Sequence, residues 1–90
     1  MRAARRIVVT GRVQGVGFRV FAEAAAAREG IHGWVRNLPD GGVEAVIEGE
    51  QDAVDRVESR LRRGPPLARV EHVVVEDHPP SGRATGFSIR

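Results

Sequence analysis

Residues 11–19 read Gly-Arg-Val-Gln-Gly-Val-Gly-Phe-Arg, between a β-branched run and an alanine-rich one. Gly15 and Gly17 stand two apart, and Arg19 follows two further on. Glycine serves where the backbone turns sharply or something must approach it closely. A glycine turn that opens a helix can aim several N–H groups at one point, beside the positive end of the helix dipole. Arginine adds a planar fork that matches the oxygens of a phosphate. The segment is suited to holding a small oxyanion. The plainer reading is a tight strand-to-helix turn followed by a solvated arginine. The segment alone divides the two readings about evenly. An arginine in the first helical turn is mildly unfavourable next to the dipole, which leans toward a role with an anion. The common nucleotide loops do not fit. The chain has no lysine for a P-loop, and Val20 stands where G-x-G-x-x-G needs its third glycine.

A second polar residue stands out at the end of an apolar run. Asn37 precedes Leu38-Pro39-Asp40-Gly41, a turn signal. Its side chain can cap that turn or hold a water molecule, and the residue alone favours the cap.

The elements that would position these groups follow from hydrophobic spacing. Residues 6–13 read as a strand. Phe18 to Arg28 reads as a helix, with Phe18, Phe21, Ala22 and Ala25 on one face and Gly30 as its stop. Residues 31–48 read as a hairpin about the Pro-Asp-Gly turn. In its second strand Val43, Ala45 and Ile47 face one way, and Glu44 and Glu48 the other, an arrangement expected of a solvated face. Residues 51–63 form a second helix on Ala53, Val54, Val57 and Leu61. Residues 68–77 form a fourth strand whose alternation breaks phase between Val70 and Val73, predicting a bulge. A loop over 78–84 and a short strand over 85–90 complete the chain. The order βαββαβ plus a terminal strand predicts an α+β ferredoxin-like sandwich: an antiparallel sheet, strands 1 and 3 central, both helices on one face. Trp34 is expected in the core or at its edge.

Composition narrows the functions. Ninety residues with 41% hydrophobic content make one domain with a packed core, residues 1–90. Cysteine is absent, which excludes disulfides, thiolate catalysis and thiolate metal sites and fits a reducing, cytoplasmic setting. No run is long enough for a membrane span, and the first residues do not read as a signal peptide. The sequence pI of 10.9 does not point to nucleic acid. All fourteen basic residues are arginine and the net charge is only +2, so the high value reflects missing lysine and tyrosine. His32, His72 and His78 lack metal-ligand spacing. Arg60, Arg62 and Arg63 suit a helix C-terminus.

Taken together, "GRVQGVGFR" and "GWVRNLPDGGVEAVIEG" resemble the signature pair of the acylphosphatase family, and the resemblance extends from Ile7 to Arg90. It implies hydrolysis of the carboxyl–phosphate bond of small acyl phosphates, with no metal or cofactor, on a ferredoxin-like fold. It implies that the backbone of Gln14, Gly15, Val16, Gly17 and Phe18 binds phosphate. Arg19 would bind it too, and Asn37 would orient the attacking water. Val20 departs from the aromatic or polar residue of many relatives. The sequence ends at Arg90, so contacts from residues further along are not expected. A monomer acting on acyl phosphate and releasing inorganic phosphate is expected. The alternative is a non-catalytic ferredoxin-like ligand or nucleic-acid module, but strands 1 and 3 carry no aromatics for base stacking.

Overall fold

The computed structural model describes residues 1–81 and 86–90. Seven elements follow in order: β1 (Arg2–Arg12), α1 (Phe18–Glu29), β2 (His32–Asn37), β3 (Val43–Glu50), α2 (Gln51–Arg63), β4 (Arg69–Asp77) and β5 (Phe87–Ile89). They build one sheet of order β4-β1-β3-β2-β5. The helices pack on each other and on this sheet. The expected sandwich is therefore present, with β1 and β3 paired near its middle. The sheet differs from expectation in being mixed, because β5 runs parallel to β2. The short strand reaches β2 from the far edge, and the six-residue periodicity of a terminal segment carries no information on its direction. The predicted loop over 78–84 and strand over 85–90 fall partly on residues 82–85, outside the described residues.

Apolar alternation sets the buried face. Ile7, Val9, Val35, Val43 and Ile47 point toward the helices and are nearly inaccessible. They meet Ala22 and Ala26 of α1, and Val54, Val57 and Leu61 of α2. Burying each Val, Ile or Leu side chain stabilises the fold by about 1.5–3 kcal/mol. The alanines allow α1 to lie close to the sheet. The C-terminus of α1 is closed by the Ile31 N–H, which donates to the Ala26 carbonyl at 2.9 Å. The bulge falls where the phase breaks: Thr10 pairs with His72 and Gly11 with Val70, leaving Glu71 extra on β4.

The outer face of the sheet corrects two expectations. Glu44 and Glu48 are 4% and 5% exposed, not solvated. Glu44 accepts hydrogen bonds from Arg6 and, at 2.6 Å, from Arg36. Glu48 accepts from Arg2 at 3.2 Å and from the backbone N–H of Ser81 at 2.9 Å. Arginine stems and the chain after β4 roof these carboxylates. Alternation distinguishes the two faces of a strand but does not show what lies over the second one. Burial pushes the Glu44 carboxyl up, yet the hydrogen bonds from Arg36 and Arg6 outweigh it and hold the group below its ordinary value. Trp34 is half-buried on this same outer face, not in the core.

Candidate active site

β1 delivers the chain into the loop through Val13, which is 1% exposed and anchors its start. Phe18, 3% exposed, anchors its end and sets the first turn of α1 in the core. Between these anchors Gly15 has φ 74° and Gly17 φ 79°. A Cβ at either glycine would meet nothing within 4 Å. Both are thus demanded by backbone conformation and not by crowding. Gly17 is the N-cap of α1, no side chain caps the helix there, and no acidic residue occupies its first turn. Among the described residues, nothing accepts from the N–H groups of residues 15–18. The turn presents donors and leaves them open.

The loop is tied down by a side chain. Gln14 donates its amide N–H groups to the carbonyls of Leu38 at 2.8 Å and Gly42 at 2.9 Å. These residues flank the β2–β3 turn, so the loop and Asn37 are held in register. The sequence marked Gln14 for its backbone alone. Its side-chain role was detectable only as a lone amide placed between an apolar strand and a glycine turn.

Arg19 stands in the first turn of α1 and donates Nη1–H to the Arg90 carbonyl at 3.1 Å. Arg90 is held in turn by its own N–H, which donates to the Val35 carbonyl at 2.8 Å. Its guanidinium lies 4.5 Å from the centre of the Trp34 ring, and that of Arg36 lies 5.3 Å from it. These stacked cations fix the end of β5 beside β2. The parallel pairing thereby brings Arg90 to Arg19, a contact that no local sequence pattern signals.

Asn37 is the last residue of β2, opposite Val43. The cap it was a candidate for belongs to another residue. Asp40 accepts from the Gly42 N–H at 2.9 Å, and the backbone closes the turn from Leu38 N–H to the Gly42 carbonyl at 2.8 Å. The side chain of Asn37 makes no hydrogen bond to a described residue. It lines a cleft of about 130 Å³ with Gly15, Gly17, Arg19, Val13 and Val20. The structure therefore gathers the glycine turn, the arginine and the amide at one small concavity. The three histidines stay apart from it; His32 accepts from the Gly86 N–H at 3.0 Å. Among the described residues no group of three His, Asp or Glu is placed to hold a metal ion.

Open N–H groups, a guanidinium and an amide around a phosphate-sized cleft are the parts that the two sequence motifs imply. The acylphosphatase family model matches residues 5–89. The chain belongs to the acylphosphatase family. It is 58% identical over 85 residues to an acylphosphatase from Rubrobacter xylanophilus, covering 94% of this chain and 77% of that one. It is 53% identical over 89 residues to an acylphosphatase from Anaeromyxobacter dehalogenans, covering 99% and 96%. Its fold matches the crystal structure of acylphosphatase from Bacillus subtilis with a TM-score of 0.92 and 37% identity, over 100% of this chain and 99% of that one. The acylphosphatase match thus spans the glycine turn, Arg19 and Asn37 together.

Proposed function

We propose that the chain hydrolyses small acyl phosphates to a carboxylate and inorganic phosphate. The phosphoryl group sits in the cleft, taking hydrogen bonds from the backbone N–H groups of residues 14–18 and from Arg19. Asn37 holds a water molecule in line with the phosphorus–acyl oxygen bond. The water oxygen attacks phosphorus, that bond breaks, and the carboxylate leaves with the electron pair. The water's proton passes to a phosphoryl oxygen.

The chemistry fits these parts. A carboxylate is a weak base and leaves without prior protonation. Phosphoryl transfer goes through a loose transition state with charge on three oxygens, so fixed donors and positioning carry most of the catalysis. One amide suffices to orient water. The observation that carries the proposal is the Asn37 side chain: it is free of the turn and faces the same cleft as Arg19.

On this reading the chain acts as a monomer in the cytoplasm, on a small molecule and without nucleic acid. The net charge of +2 is small, and Trp34 on the outer face is already covered by Arg36 and Arg90. The test is phosphate release from benzoyl phosphate, with and without excess chelator. Turnover unaffected by chelator is expected. No release above the buffer rate contradicts the proposal, and loss restored by a divalent ion contradicts its mechanism.

A further inference from the structure

Val20 belongs to two concavities at once. On one side it walls the phosphate cleft. On the other it begins a trough of about 490 Å³ between α1 and β5, lined by Ala24, Ala27, Ile31 and Phe87. Val20 is 65% exposed, and the polar chemistry of the cleft makes no use of it. Val20, Ala24 and Ala27 stand at i, i+4 and i+7 and share one helix face. At 1.5 Å per residue that row extends ~10 Å away from the cleft. Its side chains are short, which gives the trough its depth. Glu23 and His32 line it as well.

The phosphoryl and acyl groups of an acyl phosphate share one bridging oxygen. An acyl group whose phosphoryl is seated in the cleft therefore begins within the reach of its walls, one of which is Val20. We infer that the trough receives the acyl group, and that the chain prefers acyl phosphates with an extended, uncharged, apolar acyl group. This rests on the hydrolase reading above and specifies its substrate class. Apolar chain atoms gain by leaving water against Ala24, Ala27 and Phe87. Acyl groups carrying a second negative charge are disfavoured by the Glu23 carboxylate in the lining.

The experiment compares kcat/KM for acetyl phosphate and hexanoyl phosphate in the wild type and in two variants, Ala24→Glu and Ala24→Leu. Ala24 is exposed, so neither change disturbs the core. The first puts a charge in the trough and the second fills it. Each methylene taken out of water is worth roughly fourfold, so the wild type is expected to favour hexanoyl phosphate by about tenfold or more. Both variants are expected to bring that ratio close to one. Equal kcat/KM values in the wild type overturn the inference, as does a preference that both variants leave intact. In those outcomes acetyl phosphate still turns over and the hydrolase reading stands. Failure to hydrolyse either compound overturns that reading and the inference with it.

Discussion

The side-chain amide of Gln14 reaches the carbonyl of Leu38 at 2.8 Å, joining the glycine turn to the residue that follows Asn37. A second bond from the same amide goes to Gly42. The N–H groups of the glycine turn and the Asn37 amide lie on different elements, and this side chain fixes their separation. Replacing Gln14 with Ala removes both bonds. Each is worth about 1 kcal/mol, so thermal unfolding should show a loss of roughly 1–2 kcal/mol. Activity should fall further than stability explains, with kcat reduced and inhibition by phosphate weakened, because loop and turn are no longer held together.

Gly17 tests the geometry of the turn itself. With nothing within 4 Å of an added Cβ, Gly17→Ala meets no clash and only an unfavourable left-handed backbone angle. The left-handed conformation costs an alanine roughly 1–2 kcal/mol. Calorimetry should show a loss in that range. Gly17→Asn, which tolerates this region better, should recover part of both stability and activity.

The Glu44 cluster makes a prediction about pH. Its carboxyl lies below its ordinary value when folded, so the folded chain binds fewer protons than the unfolded chain between the two values. Stability from this group is present above the unfolded value and is lost as pH falls through the folded one. Glu44→Gln should flatten the acid side of the stability curve, below about pH 4.5, where the ordinary carboxyl titrates. At neutral pH the cost should be about 1 kcal/mol, because Arg6 and Arg36 are 37% and 50% exposed and solvent screens the pairs. Denaturant titrations of both proteins from acid to neutral pH measure this. An unchanged acid slope in the variant contradicts the assignment.

Most of the fold was legible because its signals are local. The stripe of Ala53, Val54, Val57 and Leu61 specifies α2, and the phase break before Val73 marks the bulge on β4. The direction of β5 was not legible, since parallel pairing to β2 depends on where the chain travels after β4. The burial of Glu44 and Glu48 was hidden because most of their cover comes from Arg2, Arg6 and Ser81, distant in sequence; only Arg36, opposite Glu44 in the hairpin, is near. At the site, the motifs marked Arg19, Asn37 and the glycine turn. The Gln14 tie, the Arg90 contact and the removal of Asn37 from the turn cap needed the tertiary structure.

Arg19 should bind phosphate in both the ground and transition states. Arg19→Ala is expected to abolish measurable turnover and to weaken inhibition by inorganic phosphate. Arg19→Lys should recover little, because a point charge cannot reproduce the paired contacts of the fork. Steady-state kinetics with phosphate as inhibitor separates the outcomes. A lysine variant of near-normal activity would show that charge alone is required there.

In the proposed mechanism Asn37 positions the nucleophile while the loop and Arg19 hold the phosphate. Asn37→Ala, measured for kcat, phosphate inhibition and melting on one preparation, tests it most directly. A fall in kcat of ~10²-fold or more is expected, as for other positioned polar groups. Phosphate should inhibit about as well as before, since the loop N–H groups and Arg19 are untouched. Melting should change little, because Asp40 closes the turn. A folded Asn37→Ala protein with undiminished kcat would contradict a water-positioning role and remove this residue from the mechanism.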